Sequence, residues 1–226
     1  MSETFNAFYG NPDTPFYYGT LPTEELKTFL EDRKYPHTGE ALDIGCGEGR
    51  NTLFLAQYGL HVHALDQSSH GIGKLKKYAL SHNLQNIRYS IADVRNFPIE
   101  ANFYDIIVAV TLLDHLNQEE GRKVASSILA ALKPHGLAYI EVFTIHDPGA
   151  TEQRNNNPTE EISETACFIK HYFEENELAA WFSELDINLY EEIMKYDDSH
   201  GAPHYHGIAR LIGIKASPTP AEKPKI

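Results

Sequence analysis

The sequence has 226 residues, of which 42% are hydrophobic, and a formal net charge of −13. This length and composition fit one globular domain with its own core, and the acidic balance argues against binding nucleic-acid phosphates, which requires clustered Lys and Arg. The basic run Lys74, Lys76 and Lys77 is interpreted as a solvated helix face. Because we find no secretory signal and no run of about 20 apolar residues, we expect a soluble, cytoplasmic protein without membrane partners.

Strands and helices alternate along most of the chain. After an aromatic, turn-rich stretch of about twenty residues, a helix is predicted from near Thr23 to Tyr35. The hydrophobic pattern then predicts strand 41–45, helix 50–58, strand 61–65, helix 68–81, strands 86–91 and 104–110, helix 117–132, strand 137–143, helix 174–184, and strands 187–196 and 205–215. Continuous apolar strands such as 106–110 indicate a parallel sheet covered on both faces. We therefore predict a single α/β domain over 1–216, followed by a disordered tail at 217–226.

A glycine-rich turn joins the first predicted strand to its helix. Its glycines are spaced G-x-G-x-G, at Gly45, Gly47 and Gly49. The dinucleotide pattern G-x-G-x-x-G would need a glycine where Arg50 stands. Asp43, just before the loop, would repel a pyrophosphate but suits a sulfonium or ammonium group, unless its main role is to orient loop amides. Asp66 ends the next strand, where an acidic side chain can hold ribose hydroxyls, so the pattern favours a nucleoside ligand with an amino-acid moiety.

Four segments resemble, in order, the motifs of class I S-adenosylmethionine-dependent methyltransferases: 42–49 with Asp66, 91–94, 104–110 and 132–140. The resemblance implies a Rossmann-like, doubly wound, seven-stranded and mostly parallel sheet with a C-terminal antiparallel hairpin. It also implies S-adenosylmethionine as cofactor and S-adenosylhomocysteine as product, with Asp93 accepting from the adenine amine. The implied cofactor-binding residues are Asp43, Gly45, Cys46, Gly47, Gly49, Arg50, Asn51, Asp66, Gln67, Asp93, Val94 and Thr111.

The amino-acid sequence of residues 45–56 is most similar to the bacterial tellurite-resistance methyltransferase family, in which Gly-Arg-Asn follows the loop. That family carries His and Arg residues for the acceptor near the terminal hairpin. Here the region reads His200 to Gly207, and Arg210 is displaced along the strand. The acceptor therefore stays open: a metalloid oxyanion, a thiol, or the oxygen or nitrogen of a small metabolite. The rival hypothesis is a module that binds S-adenosylmethionine or S-adenosylhomocysteine without turnover and responds to a metal or metabolite.

Three histidines are candidates for removing a proton from the acceptor. His115 follows the fourth strand of the predicted sheet, although a histidine there can also simply bond backbone groups. His204 and His206 lie two apart, so both face one side of an extended segment, with His200 just before them. This group can act as a base and substrate clamp, bind a metal, or form a solvated turn. No Asp, Glu or Cys completes a recognised metal motif, so no metal site is predicted.

Two further segments are predicted to border the substrate. Residues 1–22 form a possible lid, with Tyr17 and Tyr18 as substrate contacts, or else they dock the segment onto the core. Residues 145–165 are polar and irregular, which predicts a loop on the substrate side. We expect a small-molecule substrate and either a monomer or a homodimer.

Overall fold

The computed structural model describes residues 2–11, 13–150, 168–198 and 203–217, and a sheet lies at their centre. Its strands are β1 Glu40–Ile44, β2 His61–Asp66, β3 Ile87–Ile91, β4 Tyr104–Val110, β5 Leu132–Phe143, β6 Leu185–Asp197 and β7 His204–Lys215. The described helices are α1 Ser2–Tyr9, α2 Glu24–Asp32, α3 Arg50–Tyr58, α4 Ser69–Ser81, α5 Gln118–Ala131 and α6 Glu177–Trp181, with a 3₁₀ turn at Leu113–His115. None of these helices combines the length and apolar character needed to cross a bilayer.

The strand order within the described residues is β3-β2-β1-β4-β5-β7-β6. Strands β1 to β5 pair in parallel, whereas β7 runs antiparallel to both β5 and β6. The predicted doubly wound sheet with an antiparallel hairpin is therefore confirmed. The strand order reverses between β1 and β4, and a ligand crevice forms beyond the carboxyl ends of strands at such a point.

The continuous apolar strands are explained by cores on both faces of the sheet. In β4, Ile106 and Val108 pack into one cluster, with Leu26 of α2 and Leu55 of α3. Ile107, between them, points to the opposite face and packs into another cluster, which also includes residues of α5 and α6. Because successive side chains of a strand alternate between the faces, a sheet that is covered twice requires apolar residues at every position.

The first residues form helix α1, where the sequence pattern predicts only turns. Tyr9 is buried, and the Asn6 carboxamide oxygen accepts from the Ser68 hydroxyl at 2.8 Å and from the backbone N–H of His70 at 3.2 Å. An eight-residue helix has little stability of its own, so these tertiary contacts with the start of α4 stabilise it. A local pattern cannot register such contacts.

Two other boundaries differ from the prediction. Strand β5 begins at Leu132 rather than at 137, because the pairing with β4 starts at Tyr104–Leu132 and continues, after a register shift, at Ile106–Leu137. Residues 133–136 form the irregular part of the strand. Helix α6 covers only part of the predicted 174–184. Residues 151–165 of the predicted loop and 218–226 of the predicted tail lie outside the described residues.

Candidate active site

A cavity of about 500 Å³ opens at the carboxyl ends of β1 and β4, where the strand order reverses. The loop 45–49 forms one side of it. Residues from α1 and from 18–25 cover it, and residues at the ends of β5, β6 and β7 form the opposite side. Hereafter we call these two sides the glycine-loop side and the hairpin side.

The glycine loop leaves no room for a side chain at its centre. Gly47 has a φ of +55°, and a Cβ there would lie 2.6 Å from the hydroxyl of Tyr9. The backbone N–H of Gly47 donates to Asp66 Oδ2 at 2.8 Å, which connects the loop to the end of β2. Glycine at this position therefore allows a left-handed backbone and close approach of a second group.

Asp43 brings a buried carboxyl to the same wall. Only 2% of the residue is exposed, it lines the cavity, and its Oδ2 accepts from the Thr52 hydroxyl at 2.6 Å. Burial raises the pKa of Asp43 to about 6, an effect that the Thr52 hydrogen bond reduces. A cationic ligand in the cavity would favour the ionised carboxylate.

Most of the predicted cofactor-binding residues line this cavity: Asp43, Gly45, Cys46, Gly47, Gly49, Arg50, Asn51, Asp66 and Thr111. Gln67, Asp93 and Val94 are not among its lining residues. The Asp93 carboxylate accepts from Arg95 Nε at 2.9 and 3.0 Å, and Val94 packs into the core. Burial raises the pKa of the Cys46 thiol well above its ordinary value, which keeps the thiol protonated.

Thr111 has an unusual backbone for its position. It follows β4 with a φ of +47°, and its N–H donates to the Glu141 carbonyl at 2.8 Å. A β-branched residue rarely adopts this left-handed conformation, and such strain is concentrated at functional sites. The bond to β5 holds the strained residue at the cavity wall.

The segment that covers the cavity is attached to the glycine loop by Glu48, which sequence reasoning did not single out. Tyr18 lines the cavity, whereas the Tyr17 ring packs on Phe8 with centroids 4.2 Å apart. Glu48 pairs with Lys74, whose side chain is only 2% exposed. The prediction that Lys74 lies on a solvated helix face is therefore wrong. Its side chain is buried, and the buried carboxylate of Glu48 offsets its charge.

On the hairpin side, His206 lies in the cavity wall with a buried partner, Asp147. His206 Nδ1 lies 2.9 Å from Asp147 Oδ2, and its Nε2 lies 2.8 Å from Nε2 of His204. Asp147 also accepts from the N–H groups of Gly149 and Gly207, at 2.8 and 3.2 Å. The structure thus brings His204 and His206 together, as predicted, and adds Asp147 to them. The sequence signal for Asp147 was its position shortly after the end of β5.

The other two predicted histidines have different surroundings. His200 lies outside the described residues. His115 lines the cavity, its ring meets Phe5 edge-on with centroids 5.2 Å apart, and its Nδ1 lies 3.3 Å from the Phe168 carbonyl. This bond leaves Nε2 as the acceptor nitrogen of a neutral ring. Within the described part of the chain, no group of three or more His, Cys, Asp or Glu residues is arranged to hold a metal ion.

Arg210 lies behind the hairpin side in a buried ion network. The side chain is 1% exposed, its Nε donates to Glu141 Oε2 at 2.9 Å, and a terminal nitrogen lies 3.1 Å from Glu25 Oε1. Its other terminal nitrogen pairs with Glu191, and Lys195 lies 3.3 Å from the second oxygen of Glu141. Burial acts to raise the pKa of Glu141, but Lys195 and Arg210 hold it below its ordinary value. Both cations are thus engaged by carboxylates.

Comparison with known proteins identifies the family. Residues 41–136 match the family model described as a methyltransferase domain. Over 96 residues the chain is 34% identical to the probable S-adenosyl-L-methionine-dependent methyltransferase TehB of Haemophilus influenzae, which covers 42% of this chain and 32% of that protein. Residues 41–136 of this chain thus resemble a methyltransferase domain. These matches agree with the family predicted from the sequence motifs.

This chain has further similarities to known proteins, in sequence and in fold. It is 32% identical over 122 residues to the 2-heptyl-1-hydroxyquinolin-4(1H)-one methyltransferase of Mycobacteroides abscessus, with 54% of this chain and 53% of that protein covered. The crystal structure of TehB from Haemophilus influenzae superposes with a TM-score of 0.69 at 21% identity, covering 95% of this chain and 66% of that chain. The chain thus spans about half of the length of the first of these curated relatives and about a third of the length of TehB.

Proposed function

We propose that this protein transfers a methyl group from S-adenosylmethionine to a small acceptor that releases a proton, and that the histidines of the hairpin side receive that proton. One observation carries the proposal: a single cavity of about 500 Å³ is lined by both the glycine loop and His206. A donor and an acceptor held in one cavity can be aligned for a direct displacement, which is the main requirement of methyl transfer.

The glycine-loop side suits the cofactor of this family, S-adenosylmethionine. When bound, this cofactor supplies an electrophilic methyl group on a sulfonium. The buried carboxyl of Asp43 complements a positive charge, and Asp66 stands at the end of β2, where a ribose would be held. The residues we assign to the cofactor are Asp43, Gly45, Cys46, Gly47, Gly49, Arg50, Asn51, Asp66 and Thr111. Gln67, Asp93 and Val94 stay predictions from the family resemblance alone.

The hairpin side suits proton removal. With the Nδ1–H of His206 donating to Asp147, the two Nε2 atoms of His206 and His204 face each other across 2.8 Å and share one proton. When His206 Nε2 takes a proton from the acceptor, it gives up its contact with His204 Nε2, and the His206 ring becomes cationic. The Asp147 carboxylate, only 3% of which is exposed, stabilises that charge and holds the His206 ring in place.

The charges of the hairpin side favour a neutral or cationic acceptor over a metalloid oxyanion. Lys195 and Arg210 are both paired with carboxylates, so an anion would have to displace Glu141 or Glu25 to reach them. Exchanging a buried ion partner for a weakly held ligand is costly. We therefore favour a thiol, or the oxygen or nitrogen of a small metabolite.

Methyl transfer from labelled donor tests this proposal with a panel of small thiols, phenols, amines and metalloid oxyanions. We expect labelled product from a neutral or cationic member of the panel. His206→Gln should lower kcat about a hundredfold or more, a usual range for a general base, without weakening S-adenosylhomocysteine binding. His61→Gln is the control, since that side chain is 72% exposed at the start of β2.

Three results would contradict parts of the proposal. Donor binding without product from any acceptor would favour the module without turnover. Product from oxyanions alone would contradict the charge argument. Full turnover by His206→Gln would remove the histidine from the mechanism.

A further inference from the structure

A buried ion pair connects the glycine loop to helix α4. Glu48 stands between Gly47 and Gly49, and its Oε1 lies 2.6 Å from Nζ of Lys74. Both side chains are only 2% exposed. A buried pair of charges is stable only while both partners and their remaining hydrogen bonds are in place.

The remaining hydrogen bonds of this pair go to one segment, residues 15–18. Lys74 Nζ donates to the carbonyl of Pro15 at 2.6 Å. The backbone N–H groups of Tyr17 and Tyr18 donate to Glu48 Oε2 at 2.7 and 3.1 Å. The pair therefore holds the segment by its backbone, from both ends.

We propose that Glu48 and Lys74 are positioning residues for the cofactor, which hold residues 15–18 so that Tyr18 lines the cavity and couple the order of this segment to the glycine loop. The inference rests on the proposed cofactor site. Undocking residues 15–18 removes three hydrogen bonds from the pair and admits water to it. A ligand that stabilises the loop conformation presenting Glu48 thus stabilises the docked segment, and by reciprocity the docked segment strengthens ligand binding.

The same helix and the same segment provide a matched control. Lys77 of α4 pairs with Asp13 at 2.6 Å, but these side chains are 63% and 85% exposed. An exposed pair of this kind contributes little because water screens it. Lys74→Met and Lys77→Met therefore each remove one cation from α4, at positions three residues apart, of which one is buried and the other exposed.

The experiment measures S-adenosylhomocysteine affinity by calorimetry and hydrogen exchange of residues 13–20 in the full chain. In the unaltered protein, the ligand should slow exchange of the Tyr17 and Tyr18 amides. Lys74→Met should weaken the ligand about tenfold or more, within the usual range of coupling, and abolish the effect of the ligand on exchange. Lys77→Met should stay within about twofold of the unaltered protein.

The double variant Glu48→Gln/Lys74→Met addresses the case in which Lys74→Met fails to fold, because it removes both charges and keeps an oxygen for the two amides. We expect it to fold and to bind the ligand better than Lys74→Met does. The inference would be overturned if Lys74→Met and Lys77→Met bound the ligand equally well. It would also be overturned if the ligand did not change the hydrogen exchange of residues 13–20 in the unaltered protein. Absence of any ligand binding by the unaltered protein would instead overturn the cofactor site on which it rests.

Discussion

The two sides of the cavity are constructed in different ways. On the glycine-loop side, the residues assigned to the cofactor come from one stretch of the chain, 43–66, with Thr111 added from the end of β4. The hairpin side assembles its charged residues from distant parts of the chain: Glu25, Glu141, Asp147, Lys195, His206 and Arg210.

This difference predicts how each side of the cavity responds to substitution. Backbone contacts tolerate changes of side chain, provided that the glycines stay small. Buried ion pairs do not, because the loss of one partner leaves a charge without compensation. We therefore expect the hairpin side to be the more fragile of the two, and the following variants test that expectation.

Removing the cation from the buried network should have the largest effect. Arg210→Met leaves the carboxylates of Glu141, Glu25 and Glu191 without their shared partner, so we expect a loss of about 3–5 kcal/mol in the free energy of unfolding. Urea denaturation measures it. Lys123→Met is the control, since its pair with Glu119 lies on the surface, and it should cost less than about 0.5 kcal/mol. Equal losses would refute the comparison.

A side chain in the glycine loop should have the next largest effect, on ligand binding. Gly47→Ala brings a Cβ to 2.6 Å from the Tyr9 hydroxyl, so S-adenosylhomocysteine should bind about thirtyfold more weakly, which corresponds to about 2 kcal/mol. Adding Tyr9→Phe should recover part of the loss. Gly19→Ala controls for backbone strain alone, because Gly19 has a similar φ of +68° and nothing within 4 Å of its Cβ position. Failure of Tyr9→Phe to recover binding would indicate strain rather than collision.

The smallest effect should be a pH dependence of ligand binding through Asp43. Its pKa of about 6 means that the carboxylate is mostly ionised at pH 7 and mostly protonated at pH 5. S-adenosylmethionine, which is cationic at sulfur, should therefore bind about tenfold more weakly at pH 5 than at pH 7, and Asp43→Asn should flatten this dependence. Asp66, whose pKa burial also raises, faces the same cavity and supplies the remaining slope.

The same group affects stability with the opposite sign. Because the folded-state pKa lies above the ordinary value of 3.8, the folded protein binds the proton more tightly than the unfolded chain. Stability without ligand should accordingly fall by about 3 kcal/mol for this group as pH rises from about 3 to 7. Thermal denaturation of the unaltered protein and of Asp43→Asn across this range measures the difference, and parallel curves would contradict the assigned pKa.

The sheet and the glycine loop could be predicted because their determinants are local. A glycine spacing, an apolar run and an acidic strand end all fall within a few residues of one another, as at Gly47 and Asp66. The buried side-chain pairs on both sides of the cavity could not be predicted to the same depth. Which carboxylate approaches Lys74 or His206 depends on contacts between segments far apart in sequence, which in the case of His206 and Asp147 are 59 residues apart. The register that buries Arg210 opposite Glu141 is likewise set by strand pairing.

Helix α1 also bears on the order in which the molecule folds. Its anchor, Asn6, contacts Ser68 across 62 residues of chain, and eight residues are too few to stay helical in water unaided. Helix α1 therefore forms only after β1, α3, β2 and α4 provide the surface on which it packs. It should also be the first to detach when the protein is warmed, so the cavity loses its cover before the sheet loses its strands.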